Sequence, residues 1–395
     1  MNQRKLFSKY LAPTSHYPLG LEVKKAKGEF ITATNDEEYY DLISGISVCS
    51  LGHNHPEIIK AAKAQLDEHM HVMVYGEYLQ KPQDLLGETL ASLLPDSLNS
   101  SYFMTSGTEA IDAAMKLAKR VTKKTSFAAH TMAYHGTGQG PMSLMSSEYY
   151  TDKYRPLISQ TYFIEQNDLQ GLEEIPWNEI AGVVVELVQA EKGAIPCSIN
   201  YLKKLRELCD KHCTLLIFDE IQTGIGRCGS MFAFEQYDVI PDILVLGKAL
   251  GGGMPMSAMV SSRQMMDTFA DFPVLGHIST FGGHPVSCAA SKKALELTVG
   301  VLSLEDISKK ETLFKQLLKH DKIEKVTGKG LLLAVHYKSS DDCLSVLKGL
   351  LEEKILSDWF LNAPHCLRIA PPLNITKQRI EMICQTILDV TSHIN

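Results

Sequence analysis

From about residue 100 the chain alternates short, continuously apolar runs with amphipathic stretches of helical period. SSYFMT (100–105), TSFAAH (125–130), VVVE (183–186), LLIFDE (215–220), DILVLG (242–247) and MSAMVSS (256–262) predict strands. TEAIDAAMKLAKRV (108–121) predicts a helix with Ala110, Ala113, Ala114, Leu117 and Val121 on one face, and INYLKKLRELCDKH (199–212) predicts another with Leu202, Leu205 and Leu208 inward. Strands with no polar face, separated by helices, predict an α/β domain: a mainly parallel sheet covered on both sides. Ligands of such sheets sit beyond the carboxyl ends of the strands.

The two ends read differently. Residues 20–42 predict small antiparallel strands around an Asn-Asp turn. A long helical stretch near 284–300 leads into a region that mixes helices with strands such as GLLLAVHY (330–337). The expected division is a large domain over 46–290 and a smaller α+β domain over 291–395, which the N-terminal segment 1–45 joins.

Composition narrows the partners. Charged residues are 22% and hydrophobic ones 45%, which suits a packed core rather than disorder. The net charge is −7 and no block of lysine and arginine stands out, which argues against nucleic acid or an anionic membrane and for a small molecule. Nine cysteines without a CxxC pair suit reduced thiols in the cytoplasm. No apolar run approaches the roughly 20 residues of a membrane span, and the first residues lack the apolar core of a signal peptide. A cytoplasmic protein is the expectation.

The chemistry concentrates in 215–255. Asp219 ends one buried apolar run, Lys248 ends the next, and glycines surround both. An acid can hold a ring nitrogen protonated, and a desolvated amine can bond an aldehyde as a Schiff base; together they meet the requirements of pyridoxal 5′-phosphate (PLP). Gln222 is within reach of the same ring's phenolic oxygen. SGTEA (106–110) stands where a strand meets a helix, so its N–H groups and the hydroxyls of Ser106 and Thr108 suit a phosphate. Tyr134-His135-Gly136 follows the next strand, placing an aromatic where it can stack on a flat ring.

Other patterns carry less. GKA has alanine after the lysine and its glycines too late for a P-loop. GIGRCG (224–229) fits GxGxxG, but no helical stripe follows it. His53-Asn54-His55 lacks a third ligand, and Cys209 and Cys213 lack a second pair, so no metal is expected. His284, Cys288, Met254, Met256 and Met259 read as packing residues.

Seven segments in order then make the resemblance specific: SLGHNHPEI (50–58), FMTSGTEA (103–110), AYHG (133–136), FDEIQTGIGR (218–227), LGKALGGGMP (246–255), HISTFGGHP (277–285) and LRIAPPLNIT (367–376). From about residue 18 to its end the chain resembles the class III (ω-amino acid) aminotransferases of PLP fold type I, the group of the acetylornithine, ornithine and 4-aminobutyrate enzymes. The resemblance implies a seven-stranded-type sheet and a homodimer with active sites shared across the interface. It implies Lys248 as the Schiff-base lysine, Asp219 at the pyridine nitrogen and Gln222 at the phenolic oxygen. Ser106, Gly107 and Thr108 would hold the phosphate, Tyr134 would stack with His135 beside it, and Thr280 would complete the neighbouring subunit's phosphate site. Arg368 would grip a substrate carboxylate, and Glu191 would pair with it as a gate.

The sequence also departs from that family. Thr137 stands where arginine commonly follows the aromatic-His-Gly, Ile46 stands where the ornithine enzymes have tyrosine, and Ala190 replaces the glycine of QGE. Free ornithine is therefore disfavoured, and either another residue holds a distal carboxylate or the donor lacks one. The reading is an ω-amine donor and a keto-acid acceptor, 2-oxoglutarate, in a ping-pong reaction. Its rivals are an aminomutase of the glutamate-1-semialdehyde type and a non-catalytic PLP-binding protein.

Overall fold

The computed structural model describes residues 3–74, 76–158, 160–301 and 303–394. Its centre is a seven-stranded sheet of β1 (Ser100–Met104), β2 (Ser126–His130), β3 (Thr161–Ile164), β4 (Ile180–Val185), β5 (Leu215–Asp219), β6 (Ile243–Leu246) and β7 (Ser257–Ser261), in the spatial order β1-β7-β6-β5-β4-β2-β3. Strand β7 runs antiparallel to both β6 and β1, and the pairs from β6 to β3 are parallel. The expected α/β, mainly parallel sheet is thus present, and the run 256–262 supplies its one reversed strand. Strands β2, β4, β5, β6 and β7 are buried at every position, as their continuous apolar runs require. The edge strand β3, TYFI, was not in the sequence reading: its middle residues are partly exposed, so it carries neither a continuous run nor a clean alternation.

The helix Gly107–Thr122 packs Ala110, Ala113, Ala114 and Leu117 on one face of this sheet with Ile217, Val245 and Met259. On the other face Leu202, Leu205 and Leu208 of the helix Ile199–Lys211 join Phe218, Leu244 and Val260. GIGRCG lies in a run of turns with no helix opening on it. Its Arg227 is fully buried and donates to the carbonyls of Leu331 and Pro371 and to Ser50 Oγ, tying the turn to the C-terminal region.

The helix Pro285–Val301 runs unbroken through the 290/291 division and packs against the helices Pro56–Glu68 and Lys81–Leu93. Beyond it, Ile323–Lys329, Leu332–Tyr337, Ala363–Ile369 and Trp359–Phe360 form an antiparallel sheet. The N-terminal strands Val23–Lys27, Phe30–Ala33 and Glu38–Asp41 form a second sheet that Ile355–Leu356 completes. Tyr40 and Leu42 share one core with Leu333, Val335, Leu367 and Ile387, so the N-terminal sheet packs with the C-terminal region.

Candidate active site

Parallel pairing of β5 with β6 sets Asp219 beside Val245, and the chain beyond Leu246 then delivers Lys248 next to it. Lys248 Nζ donates to Gln222 Oε1 at 2.7 Å, while the buried Gln222 Nε2 has no partner in the protein. Burial lowers the pKa of Lys248, with Arg368 adding to the effect and Glu191 and Asp219 opposing it. Asp219 Oδ1 accepts from the Ile221 amide at 3.1 Å, and Oδ2 lies 2.7 Å from His135 Nδ1. Burial pulls the His135 pKa down, and the bond to Asp219 more than reverses that, so the ring's affinity for a proton rises. His135 therefore holds the carboxylate in place.

These groups line one cavity of about 440 Å³, within the usual range for small-molecule sites. Ser106, Gly107 and Thr108 form its far wall at the start of the helix Gly107–Thr122. Ser106 and Glu109 make a reciprocal capping box, and Ser257 Oγ on β7 donates to the Ser106 carbonyl at 2.7 Å, so the turn is fixed from both sides. The remaining N–H groups of a first helical turn have no intrahelical acceptor, and the dipole there favours an anion. Thr108 Oγ1 accepts from the Gly138 amide at 2.9 Å. At Gly136, φ is +110° and a Cβ would lie 2.8 Å from Thr108 Cβ, so only glycine brings the Tyr134 loop this close.

The third wall holds Glu191. Both its carboxylate oxygens accept from Arg368 Nη2, at 2.9 and 3.1 Å, and one also accepts from the Leu361 amide at 2.7 Å. Arg368 Nε donates to Asp358 at 2.8 Å, and its guanidinium lies 4.1 Å from the Phe360 ring centroid. Both members of the pair are under 10% exposed, and Arg368 sits behind Glu191 rather than on the cavity wall. Arg368 Nη1 is buried without a partner.

Thus Ser106, Gly107, Thr108, Tyr134, His135, Asp219, Gln222, Lys248 and Glu191 line one cavity, with Thr137 beside them. Besides Arg368 behind Glu191, two predicted residues stand apart. Thr280 is exposed and lines a second groove with Met104, Thr105 and Glu109. Ile46 is 40% exposed in a left-handed turn at φ 61°, and Val48, two residues on, faces the cavity instead.

Sequence reasoning missed Glu186. It lines the cavity and accepts from the Tyr134 amide at 3.3 Å and the Ala190 amide at 3.1 Å, joining the aromatic loop to the Glu191 turn. Burial raises its carboxyl to about 7, with His135 opposing and Asp219 adding. The signal was the one that exposed Asp219: an acid ending a continuous apolar strand.

An amine beside an unpaired amide, an acid braced by imidazole and a helix N-terminus across a single cavity fit PLP group by group, at aldehyde, ring and phosphate. The sequence agrees at the level of family: the class-III aminotransferase family model matches residues 10–391, and the chain belongs to that family of PLP-dependent enzymes. It is 36% identical over 381 residues to an acetylornithine aminotransferase of Methanosarcina mazei, covering 95% of this chain and 93% of that protein. It is 35% identical over 384 residues to a putrescine aminotransferase of Pectobacterium atrosepticum, covering 92% and 80%. Among solved structures, the ornithine aminotransferase of Toxoplasma gondii superposes with a TM-score of 0.90 at 28% identity, covering 98% of this chain and 94% of that one.

Proposed function

We propose that this aminotransferase moves an ω-amino group from a donor of the acetylornithine, ornithine or 4-aminobutyrate type to a keto acid, 2-oxoglutarate, in two half-reactions. The observation that carries this reading is the Glu191–Arg368 pair with its unpartnered Arg368 Nη1. With the pair closed, the arginine is neutralised and a donor's α-carboxylate finds no partner there. With Glu191 turned aside, the guanidinium offers a planar two-point grip to the carboxylate of the keto acid. One site can thus accept an amine at its far carbon and a keto acid at its α-carbon.

Bound PLP supplies a ring that takes up the electrons left when the donor's C–H proton departs. The chain's own groups do the rest. Lys248 Nζ, its pKa lowered by burial, accepts that proton and returns it, while Gln222 fixes where the nitrogen points. Asp219, which His135 braces, would hold the ring nitrogen protonated. Ser106, Gly107 and Thr108 would hold the phosphate, and Tyr134 would cover the ring's face. Thr280 reaches the phosphate of the neighbouring subunit in a homodimer. Thr137 leaves no arginine on the wall beyond Gly136, which favours a donor whose distal end carries no carboxylate or has it held elsewhere.

The test is a half-reaction on PLP-loaded protein. 4-Aminobutyrate, N-acetylornithine, ornithine, lysine and a simple amine are added separately without keto acid, and the visible absorption of the bound cofactor is followed. Rapid bleaching by one of them, restored by 2-oxoglutarate, is the expected result. Bleaching that 2-oxoglutarate does not restore would overturn the acceptor, and product formed with no keto acid present would indicate an aminomutase.

A further inference from the structure

The antiparallel sheet that carries Arg368 holds a second cluster, which transamination does not use. His336 on Leu332–Tyr337 and Cys366 on Ala363–Ile369 are cross-strand partners, two pairs along from Ala334–Arg368 and so on the same face. Both are buried, and His336 Nδ1 lies 3.2 Å from Cys366 Sγ. His336 Nε2 lies 2.7 Å from Thr327 Oγ1, and that hydroxyl donates to the Gly193 carbonyl at 2.6 Å. A hydroxyl has one proton, already given to Gly193, so Thr327 accepts from His336. The imidazole is thereby fixed as its Nε2–H tautomer, with the Nδ1 lone pair directed at the sulfur. The half-exposed His365 adds a third donor: one ligand atom from each of the three residues lies within 4.8 Å of the others.

We propose that His336, His365 and Cys366 form a binding site for one thiophilic divalent cation of the zinc class, set behind the Glu191–Arg368 pair. Two imidazoles and a thiolate are the donors such an ion prefers. The Thr327 bond to the remote ring nitrogen is the support that metal-ligating histidines use to fix ring and tautomer. Metal–nitrogen bonds of about 2.0–2.1 Å and a metal–sulfur bond of about 2.3 Å put tetrahedral ligands about 3.5 Å apart. The Nδ1–Sγ separation is already near that value, and His365 closes by moving in about 1 Å. Its half exposure gives the ion an entry path and leaves the fourth position to water. At Gly193, φ is +93° and a Cβ would lie 3.1 Å from His336 Cε1 and 3.3 Å from Cys366 Sγ, so glycine leaves the pair its room. Binding replaces the S–H bond with a sulfur–metal bond and releases one proton per ion. Gly193 lies two residues after Glu191 and Cys366 two before Arg368, so an occupied site would tie together the turn and strand that hold the gate. No motif announces it, because the ligands come from two strands with no CxxC or HxxxH spacing.

The test is a titration of chelator-treated, PLP-loaded protein with Co²⁺, reading d–d and thiolate-to-cobalt absorption and proton release. One equivalent should saturate both bands, release about one proton, and be displaced by Zn²⁺. His365→Ala, at a half-exposed position, should weaken binding at least tenfold, and Cys366→Ser should remove the thiolate band. Thr327→Val should weaken binding about 10–100-fold without touching a ligand. Absence of a saturable cobalt signal would overturn the proposal. So would bands that persist undiminished in His365→Ala and Thr327→Val, two variants that decide the matter even if Cys366→Ser fails to fold.

Discussion

Asp219 and Lys248 reach the cavity from neighbouring parallel strands, Asp219 as the last residue of its strand and Lys248 two residues beyond the end of the next. Glu191 and Arg368 meet across 177 residues, one from a turn after the large sheet and the other from a strand of the C-terminal sheet. The first set is held by backbone register: moving Asp219 relative to Lys248 would mean slipping a buried ladder. The second is held by side-chain bonds, those of Glu191 to Arg368 and the Leu361 amide and that of Arg368 to Asp358. In the proposed reaction, the chemistry that stays fixed is thus mounted on strand ends, and the contact proposed to open is made of rotatable side chains.

The strongest way to break this contrast is at the lysine. Lys248→Ala removes the group assigned both bond formation and proton transfer, and proton transfer alone is worth about 10²–10⁴-fold. Turnover of the variant should fall by at least ~10⁴-fold with an unchanged melting temperature; residual turnover within tenfold of wild type would remove Lys248 from the chemistry. Asp219→Asn keeps the shape and loses the charge proposed to face the ring nitrogen. A loss of about 10²–10³-fold in kcat is expected, the usual cost of deleting one preorganised electrostatic group.

At the movable pair the signature differs. Arg368→Lys keeps the charge but loses the planar fork. The KM for the keto acid should rise about tenfold, as for one charge-assisted hydrogen bond of about 1.5 kcal/mol. The donor half-reaction, followed by single-turnover absorption, should change less than threefold, an approximate bound set by closed-gate binding needing no arginine contact. Equal damage to both half-reactions would mean that the pair is scaffolding and not a gate.

The same contrast explains what could be read in advance. Strand-end groups are legible because a polar residue closing a continuous apolar run breaks a simple pattern, as Asp219 and Lys248 do; Glu186 breaks it in the same way and could have been found. Arg368 has no such signature, since LRIA reads as an ordinary buried strand, and only resemblance marked it. Its partner Asp358 was passed over for the same reason. The edge strand Thr161–Ile164 escaped because half-exposed strands blur both periodicities. Thr280 lies outside this cavity, and only the resemblance assigns it a role.

The smallest expected effect concerns the segment that leads from the N-terminal sheet to Val48 on the cavity wall. Asp41 accepts from the amides of Ile43 and Gly45 and pairs with His53 Nε2 at 2.8 Å, so one carboxylate shapes the turn in which Ile46 sits. The bond to Asp41, then that to Cys49, raises the His53 pKa to about 10 against the opposing effect of burial. A group whose folded pKa lies above its unfolded value stabilises the fold fully below the unfolded value, about 6.5 for histidine. That contribution is lost as the pH climbs from there towards about 10. Partial exposure screens the pair, so about 1 kcal/mol, or about 2 °C in melting temperature, is a fair scale. The wild-type melting temperature should therefore decline across this window by about 2 °C more than that of His53→Gln. Because neither Asp41 nor His53 lines the cavity that holds Asp219 and Lys248, the rate of the half-reaction should not follow the same titration. A half-reaction rate that tracked it would show the turn at Ile46 to be part of the movable set, joined to Glu191 and Arg368 rather than to the fixed ladder of Asp219 and Lys248.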